Sequence, residues 1–395
     1  MTNLKIHSIP EIATVSPAIV GNHLRPLDSL RGLAALYVAI HHALQLSEKY
    51  LDQMPLPLKA ISKIFAYGHY SVDVFIVLSG FCLMLPVVRN GGVMRGTFMQ
   101  FYIKRARRIL PPYYLALLLS IVLIFTCIGQ PTGGAWDMSL SVQSKDVLTH
   151  LFLVHDLFKD TRVTINPAFW SIAVEWRIYF LFPVIVLLWK KWGSLKTTVT
   201  LTGASCLFFL IFSRFPALNL DPIGPSPHFI ALFAFGMLAA DIVFTDSELN
   251  TVLRKEFPWI GISLVCLLLS LPTYQFFSAG GQSWIIADLL MGISSFSILV
   301  AIFSPEPNQF TKFLNLPFLV KLGAFSYSIY LVHMPLLQIF VQYVLKPLSL
   351  NSSLNFFLVL FIAIPMMVLA SYVFFVICEK PFLSKNAQRN IAPIR

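Results

Sequence analysis

Ten stretches of the chain are apolar over about the length that crosses a bilayer. They lie near 30–46, 70–88, 110–129, 168–189, 195–213, 228–244, 257–273, 283–303, 323–345 and 354–378. A helix needs roughly 20 such residues to span a hydrocarbon core of about 30 Å. Short polar connections separate the stretches. The pattern therefore predicts an all-α protein, a polytopic transmembrane helical bundle of about ten spanning helices. An eleventh stretch, VLTHLFLVHDLF at 147–158, is too short and too polar to span. It is expected to lie as one short re-entrant or interfacial segment. The longest non-spanning stretch, 130–167, has a turn-like tip, QPTGGAWD, and no soluble domain or internal repeat is visible.

Composition agrees with this pattern. Hydrophobic residues make up 57% of the chain and charged residues 12%, where a soluble domain averages about 25% charged. The net charge of +11 is shared among the connections, so topology accounts for it and no nucleic-acid partner is implied. An even number of spans puts both termini on one side. Twenty of the 29 Lys and Arg fall on that side and eight on the other, with Arg177 inside a span. The positive-inside rule then places both termini in the cytoplasm, including a polar N-terminal segment 1–24 and a tail 386–395. Residues 1–24 show no apolar core of a signal peptide, so the first span is expected to target the chain. The five cysteines are odd in number and lack CxxC or Cys/His spacing. They indicate neither a disulfide framework nor a metal site.

Two ionisable residues stand inside the first apolar stretch, LRGLAALYVAIHHALQL. Arg31 and His42 are eleven positions apart, which on a helix returns to within about 20° of one face, about 16 Å further along. An ionisable group at mid-membrane is costly and usually functional. The imidazole suits proton transfer near neutral pH, or else an interhelical hydrogen bond. His41 faces about 100° away, and Asp28 serves as an N-cap or as a site residue. Glu175 in SIAVEWRIYF lies about 12 Å into its own span from the opposite side, so its depth matches that of His42 and makes it a candidate partner. Ser171 and Tyr179 share its face at i−4 and i+4. Arg177, about 200° round that helix, is expected to neutralise another buried acid or to join Glu175 in a structural ion network.

Five ordered patterns carry a resemblance: LRPLDSLRGLAALYVAIHH at 24–42, HYSVDVFIVLSGFCL at 69–83, FYIKRARRILPPYY at 101–114, FWSIAVEWRIYFLFP at 169–183 and SYSIYLVHMPLL at 326–337, closed by CEKPF at 378–382. Together, over 25–385, they resemble the acyltransferase 3 family of integral-membrane O-acyltransferases. The resemblance implies transfer of an acyl group, with acetyl the first choice, from cytoplasmic acyl-CoA to a hydroxyl of a carbohydrate or lipid-linked glycan. It implies acetyl-CoA as a co-substrate, with no permanently bound cofactor, and a bacterial cytoplasmic (inner) membrane location among membrane lipid.

The family's Arg–ten residues–His pattern falls on Arg31 and His42, and its Arg–two residues–Arg element on Arg105 and Arg108. Guanidinium forks suit the phosphates of an acyl-CoA, so Arg31, Arg105 and Arg108 are the expected donor-side cations. His42 is the expected base or transient acyl carrier, with Glu175 beside it. Where the family reads a second acid and a glutamine, this chain has Trp176 and Arg177, so any role of that second acid is absent. Asp73, Ser79, Ser171, Tyr179 and His333 are candidates for the acceptor or the pore. For Ser79-Gly80 the alternative is close helix packing, and for His333 support of a kink at Pro335. No extra hydrolase-like domain is expected after the last span. The reading that competes with transfer is a proton-coupled permease or flippase for a glycan or small metabolite. Such a transporter predicts paired, Gly/Pro-broken helices, and that pairing is not seen.

Overall fold

The computed structural model describes residues 24–212, 226–279, 284–303 and 309–384. Apart from Leu24, the expected N-terminal segment and the tail from 386 lie outside them, as does Arg214. The chain begins with α1 (Arg25–Leu46), α2 (Leu56–Ile64) and α3 (Tyr70–Val88), followed by α4, which runs Phe98–Ile128. After α5 (Ser144–Leu151) come α6 (Trp170–Trp192), α7 (Ser194–Phe212), α8 (Phe229–Phe244) and α9 (Glu248–Glu256). The remainder is α10 (Trp259–Ala279), α11 (Ile285–Ile302), α12 (Gln309–Leu314), α13 (Pro317–Ala324), α14 (Ser326–Leu348) and α15 (Ser352–Phe382). The described residues contain no strand.

Over its described residues each of the ten apolar stretches is largely helical, but fewer than ten of these helices are long and apolar enough to cross a membrane. Among the described residues eight qualify, or nine if α8 and α9, bent by 100° at their junction, form one span. The helix that falls outside even the larger count is α1, whose apolar run is interrupted by Arg31, His41 and His42. Large exposed apolar side chains such as Phe125, Leu187, Leu268, Phe361 and Leu369 give the bundle a lipid-facing exterior. In α14, 72% of the apolar window is buried, against 17% in α7 and in α10. α14 is therefore central and the other two peripheral.

Small residues set the closest helix crossings. A Cβ on Gly80 of α3 would strike the Phe233 carbonyl of α8, and one on Gly236 of α8 would strike the Val77 carbonyl of α3. The two backbones touch through this reciprocal pair, as membrane helices do at small residues. A Cβ on Gly32 of α1 would likewise lie 2.7 Å from the Gly323 nitrogen of α13.

One expected boundary moves. The basic FYIKRARR segment is helical, not a loop, because α4 starts at Phe98 under a capping box between Thr97 and Gln100. Arg105 and Arg108 thereby fall at i, i+3 on one face. The segment near 147–158 is non-spanning and consists of α5 and a turn at His155–Leu157. His150 and His155 stack there with ring centroids 3.8 Å apart, and burial pulls the His150 imidazole down to about 4. The Tyr113 hydroxyl of α4 donates to the His150 carbonyl at 3.0 Å, which ties the segment to the bundle.

Candidate functional site

A cavity of about 180 Å³ opens inside the bundle between α1, α3, α4, α6 and α14. It brings together seven residues singled out in the sequence: Arg31, Ser79, Arg105, Arg108, Ser171, Glu175 and Tyr179. They come from four helices, and each is placed by the regular register of its own helix.

Three guanidinium groups reach the cavity near the ends where α1 and α14 begin. Arg31 donates to the Cys82 thiol sulfur at 2.9 Å and to Asp28 at 3.4 Å. Arg105 stands over the Phe101 ring at 5.7 Å, and its buried Nε has no hydrogen-bond partner. Arg108 is an exposed residue of the lining, and the exposed Lys104 and Arg107 do not line the cavity. Deeper in, the Ser79 and Tyr179 hydroxyls both donate to the Glu175 carboxylate, and the two hydroxyl oxygens lie 3.2 Å apart. At the far end Ser171 and Tyr330 share a hydrogen bond of 2.6 Å.

His42 is not among the residues lining this cavity, and its partner is not Glu175. Its Nδ1 lies 2.8 Å from the Nε2 of His333, with the rings stacked at 5.1 Å. The expected pairing fails because matching depth does not bring two side chains onto facing sides of their helices. In the structure α14 stands beside α1 and supplies the second imidazole. The Nδ1 of His333 faces the carbonyls of Ile329 at 3.1 Å and Tyr330 at 2.8 Å, so with neutral rings that nitrogen carries the proton. His333 Nε2 is then an acceptor and His42 Nδ1 its donor. The Nε2 of His42 is left with its lone pair unprotonated, the form a base or nucleophile needs. Tyr330 links the two sets, since it lines the cavity and its ring lies 5.7 Å from that of His333.

Three further expectations resolve. Arg177 grips Asp156 with both terminal nitrogens and also donates to the Leu153 carbonyl at 3.3 Å. It therefore neutralises a different buried acid and leaves Glu175 alone. His41 turns away to the Phe65 carbonyl at 2.8 Å. Asp73 does not face the cavity: it is fully buried between α3, α8 and α11, because its position on α3 points it toward the neighbours that Gly80 and Gly236 draw close.

The family model described as "Acyltransferase domain" matches residues 25–376. The chain belongs to this acyltransferase family. It is 24% identical over 335 residues to the O-acetyltransferase OatA of Staphylococcus aureus (strain NCTC 8325 / PS 47), covering 80% of this chain and 51% of that protein. It is also 24% identical over 342 residues to the peptidoglycan O-acetyltransferase OatA of Listeria monocytogenes, covering 79% of this chain and 49% of the relative. The chain thus spans about half the length of the curated relatives it matches. No solved structure matches it.

Within this acyltransferase fold, one group escaped sequence reasoning. Glu379, in the closing CEKPF, accepts a hydrogen bond from Ser328 and lies within electrostatic reach of Arg108. It sits in a π-helical turn, Phe375–Glu379, a distortion that often marks functional sites. The motif was visible, but nothing local tied its acid to an arginine 271 positions earlier.

Proposed function

We propose that this chain transfers an acetyl group from cytoplasmic acetyl-CoA to a hydroxyl of a carbohydrate or lipid-linked glycan at the membrane. The observation that carries the reading is the charge of the cavity. Among the residues lining it, Arg31, Arg105 and Arg108 stand with one carboxylate, Glu175, whose Oε1 already accepts two hydroxyls, while Asp28 beside Arg31 and Glu379 near Arg108 lie outside the lining. Such an excess of guanidinium charge inside a bundle suits a polyanion, and the 3′-phosphate and pyrophosphate of an acyl-CoA supply one.

In this reading the phosphates bind at Arg105 and Arg108. The pantetheine arm passes Arg31 and the Glu175 group, and the thioester end leads toward Tyr330 and the histidine pair. His42 takes the acceptor hydroxyl proton at Nε2 while the oxygen attacks the thioester carbonyl. The C–O bond forms, the C–S bond breaks, and the proton passes to the departing thiolate. The same nitrogen would carry the acyl group in a two-step route. Glu175 holds Ser79 and Tyr179 in place along the donor path, which makes it a positioning residue toward the donor.

The unit carrying the activity is 25–385, with both termini in the cytoplasm of a bacterium. The name of the Listeria monocytogenes relative, a peptidoglycan O-acetyltransferase, favours a cell-wall glycan as acceptor. Titration of acetyl-CoA into purified protein by calorimetry tests the donor site. Arg105→Ala and Arg108→Ala should each weaken binding by about tenfold, more at low salt than at high, as for partly exposed phosphate contacts. Affinity unchanged in both variants would sink the donor assignment.

A further inference from the structure

Four side chains that the proposed transfer does not use converge where α3, α8 and α11 begin. His69 immediately precedes α3 and Asp73 lies in its first turn, His228 immediately precedes α8, and Asp288 lies in the first turn of α11. Ligand atoms of His69, Asp73 and Asp288 all lie within 4.8 Å of one another. His69 Nε2 is 3.2 Å from the Asp288 carboxylate, and His228 Nε2 is 2.8 Å from Asp288 Oδ2. Asp73 is fully buried, yet neither of its carboxylate oxygens has a hydrogen-bond partner, while Asp288 Oδ1 lies 3.2 Å from His69 Nε2. Aromatic rings close the cluster: Trp170 stacks on His69 at 5.8 Å and Trp284 meets it edge-on at 4.7 Å.

Two carboxylates are thus buried side by side with both oxygens of Asp73 unsatisfied, and no Lys or Arg among the described residues pairs with them. Buried carboxylates are stable when paired, protonated or bound to a cation. We propose that His69, Asp73 and Asp288 hold one divalent transition-metal ion, with His228 fixing Asp288 through Oδ2. A donor set of imidazole nitrogen and carboxylate oxygen suits Zn²⁺ or Mn²⁺, whereas Ca²⁺ and Mg²⁺ favour all-oxygen shells. A tetrahedral zinc with bonds of about 2.0–2.2 Å sets its ligand atoms roughly 3.3–3.6 Å apart, so His69 and Asp288, at 3.2 Å, already stand at that spacing and the widest separation closes by about an ångström. On binding, His69 presents a lone pair at Nε2 and carries its proton on Nδ1. His228 supplies the outer hydrogen bond that commonly orients a metal-bound carboxylate.

None of these ligands lines the cavity, although Val72 and Ile76, on either side of Asp73, do. The ion is a clip between three helices, and it holds α3 in register behind the cavity wall.

Elemental analysis of the full chain purified in mild detergent, without chelator, tests this directly. About one equivalent of zinc or manganese is expected, together with a melting temperature that falls by several degrees on stripping and recovers when either ion is returned. Asp73→Asn should retain neither the metal nor the response. Monodisperse wild-type protein that carries no metal, with a melting point unmoved by chelator, Zn²⁺ or Mn²⁺, would overturn the proposal. Asp73 would then be a protonated acid. An unstable Asp73→Asn variant does not blunt the test, because the wild-type measurement decides it.

Discussion

His333 reads in the sequence as a histidine two turns into a helix and two residues before Pro335. Its surroundings give it a different weight. Two backbone carbonyls hold its Nδ1 proton, and its Nε2 accepts from His42. A hydrogen-bonded chain of that kind sets the tautomer of His42 with no carboxylate involved. Two substitutions separate orientation from packing. His333→Gln keeps a carbonyl able to accept from His42 and should retain turnover within about tenfold of wild type. His333→Leu removes the acceptor and should approach the loss seen for His42→Ala, about 10²–10⁴ in turnover, the range typical of a general base. Assays of acetyl transfer and melting temperature on the same preparations check this. Wild-type turnover in folded His333→Leu would remove the histidine pair from the mechanism.

Between elements, the decisive contact is the crossing of α3 with α8. Ser79, Gly80, Val77 and Asp73 lie on neighbouring turns of α3, so one helix supplies the cavity wall, the packing seam and the buried His/Asp cluster. Gly80→Ala and Gly236→Ala each drive a methyl into a backbone carbonyl of the partner helix, which cannot turn aside as a flexible side chain would. Each should cost about 1–3 kcal/mol of stability, the usual range for overpacking. Thermal unfolding in detergent measures it. Gly203→Ala on α7 is the control, since a methyl there meets nothing within 4 Å. Equal melting points for all three variants would mean that the glycines are not what lets α3 and α8 approach.

For the whole molecule, the parts of α1 and α4 that carry the cavity's arginines belong to the side favoured by 20 of the 29 basic residues. Under the proposed function the donor would enter from the cytoplasm, and the acceptor from the opposite side or through the lipid. Sealed membrane vesicles distinguish the sides. Inside-out vesicles should use added acetyl-CoA, and right-side-out vesicles should use it only after permeabilisation. Equal use by intact vesicles of both orientations would reverse or abolish the assigned topology.

The ten apolar stretches long enough to span are largely helical over their described residues, and the ordered motifs named the family that the match over 25–376 shows. Hydropathy and helical period are properties of each segment taken alone, so one chain reveals them. The same holds for seven of the candidate site residues, which reach one cavity because their motifs carry them there. What the residues do to one another was not legible. His42 and His333 are 291 positions apart, Ser79 and Glu175 96, and His69 and Asp288 219. Period says which face a residue occupies, and depth says how far along its helix it sits. Neither says which helix stands opposite. That choice belongs to the packing of small residues such as Gly80, Gly236 and Gly32, and it gave His42 an imidazole as neighbour where equal depth had suggested a carboxylate.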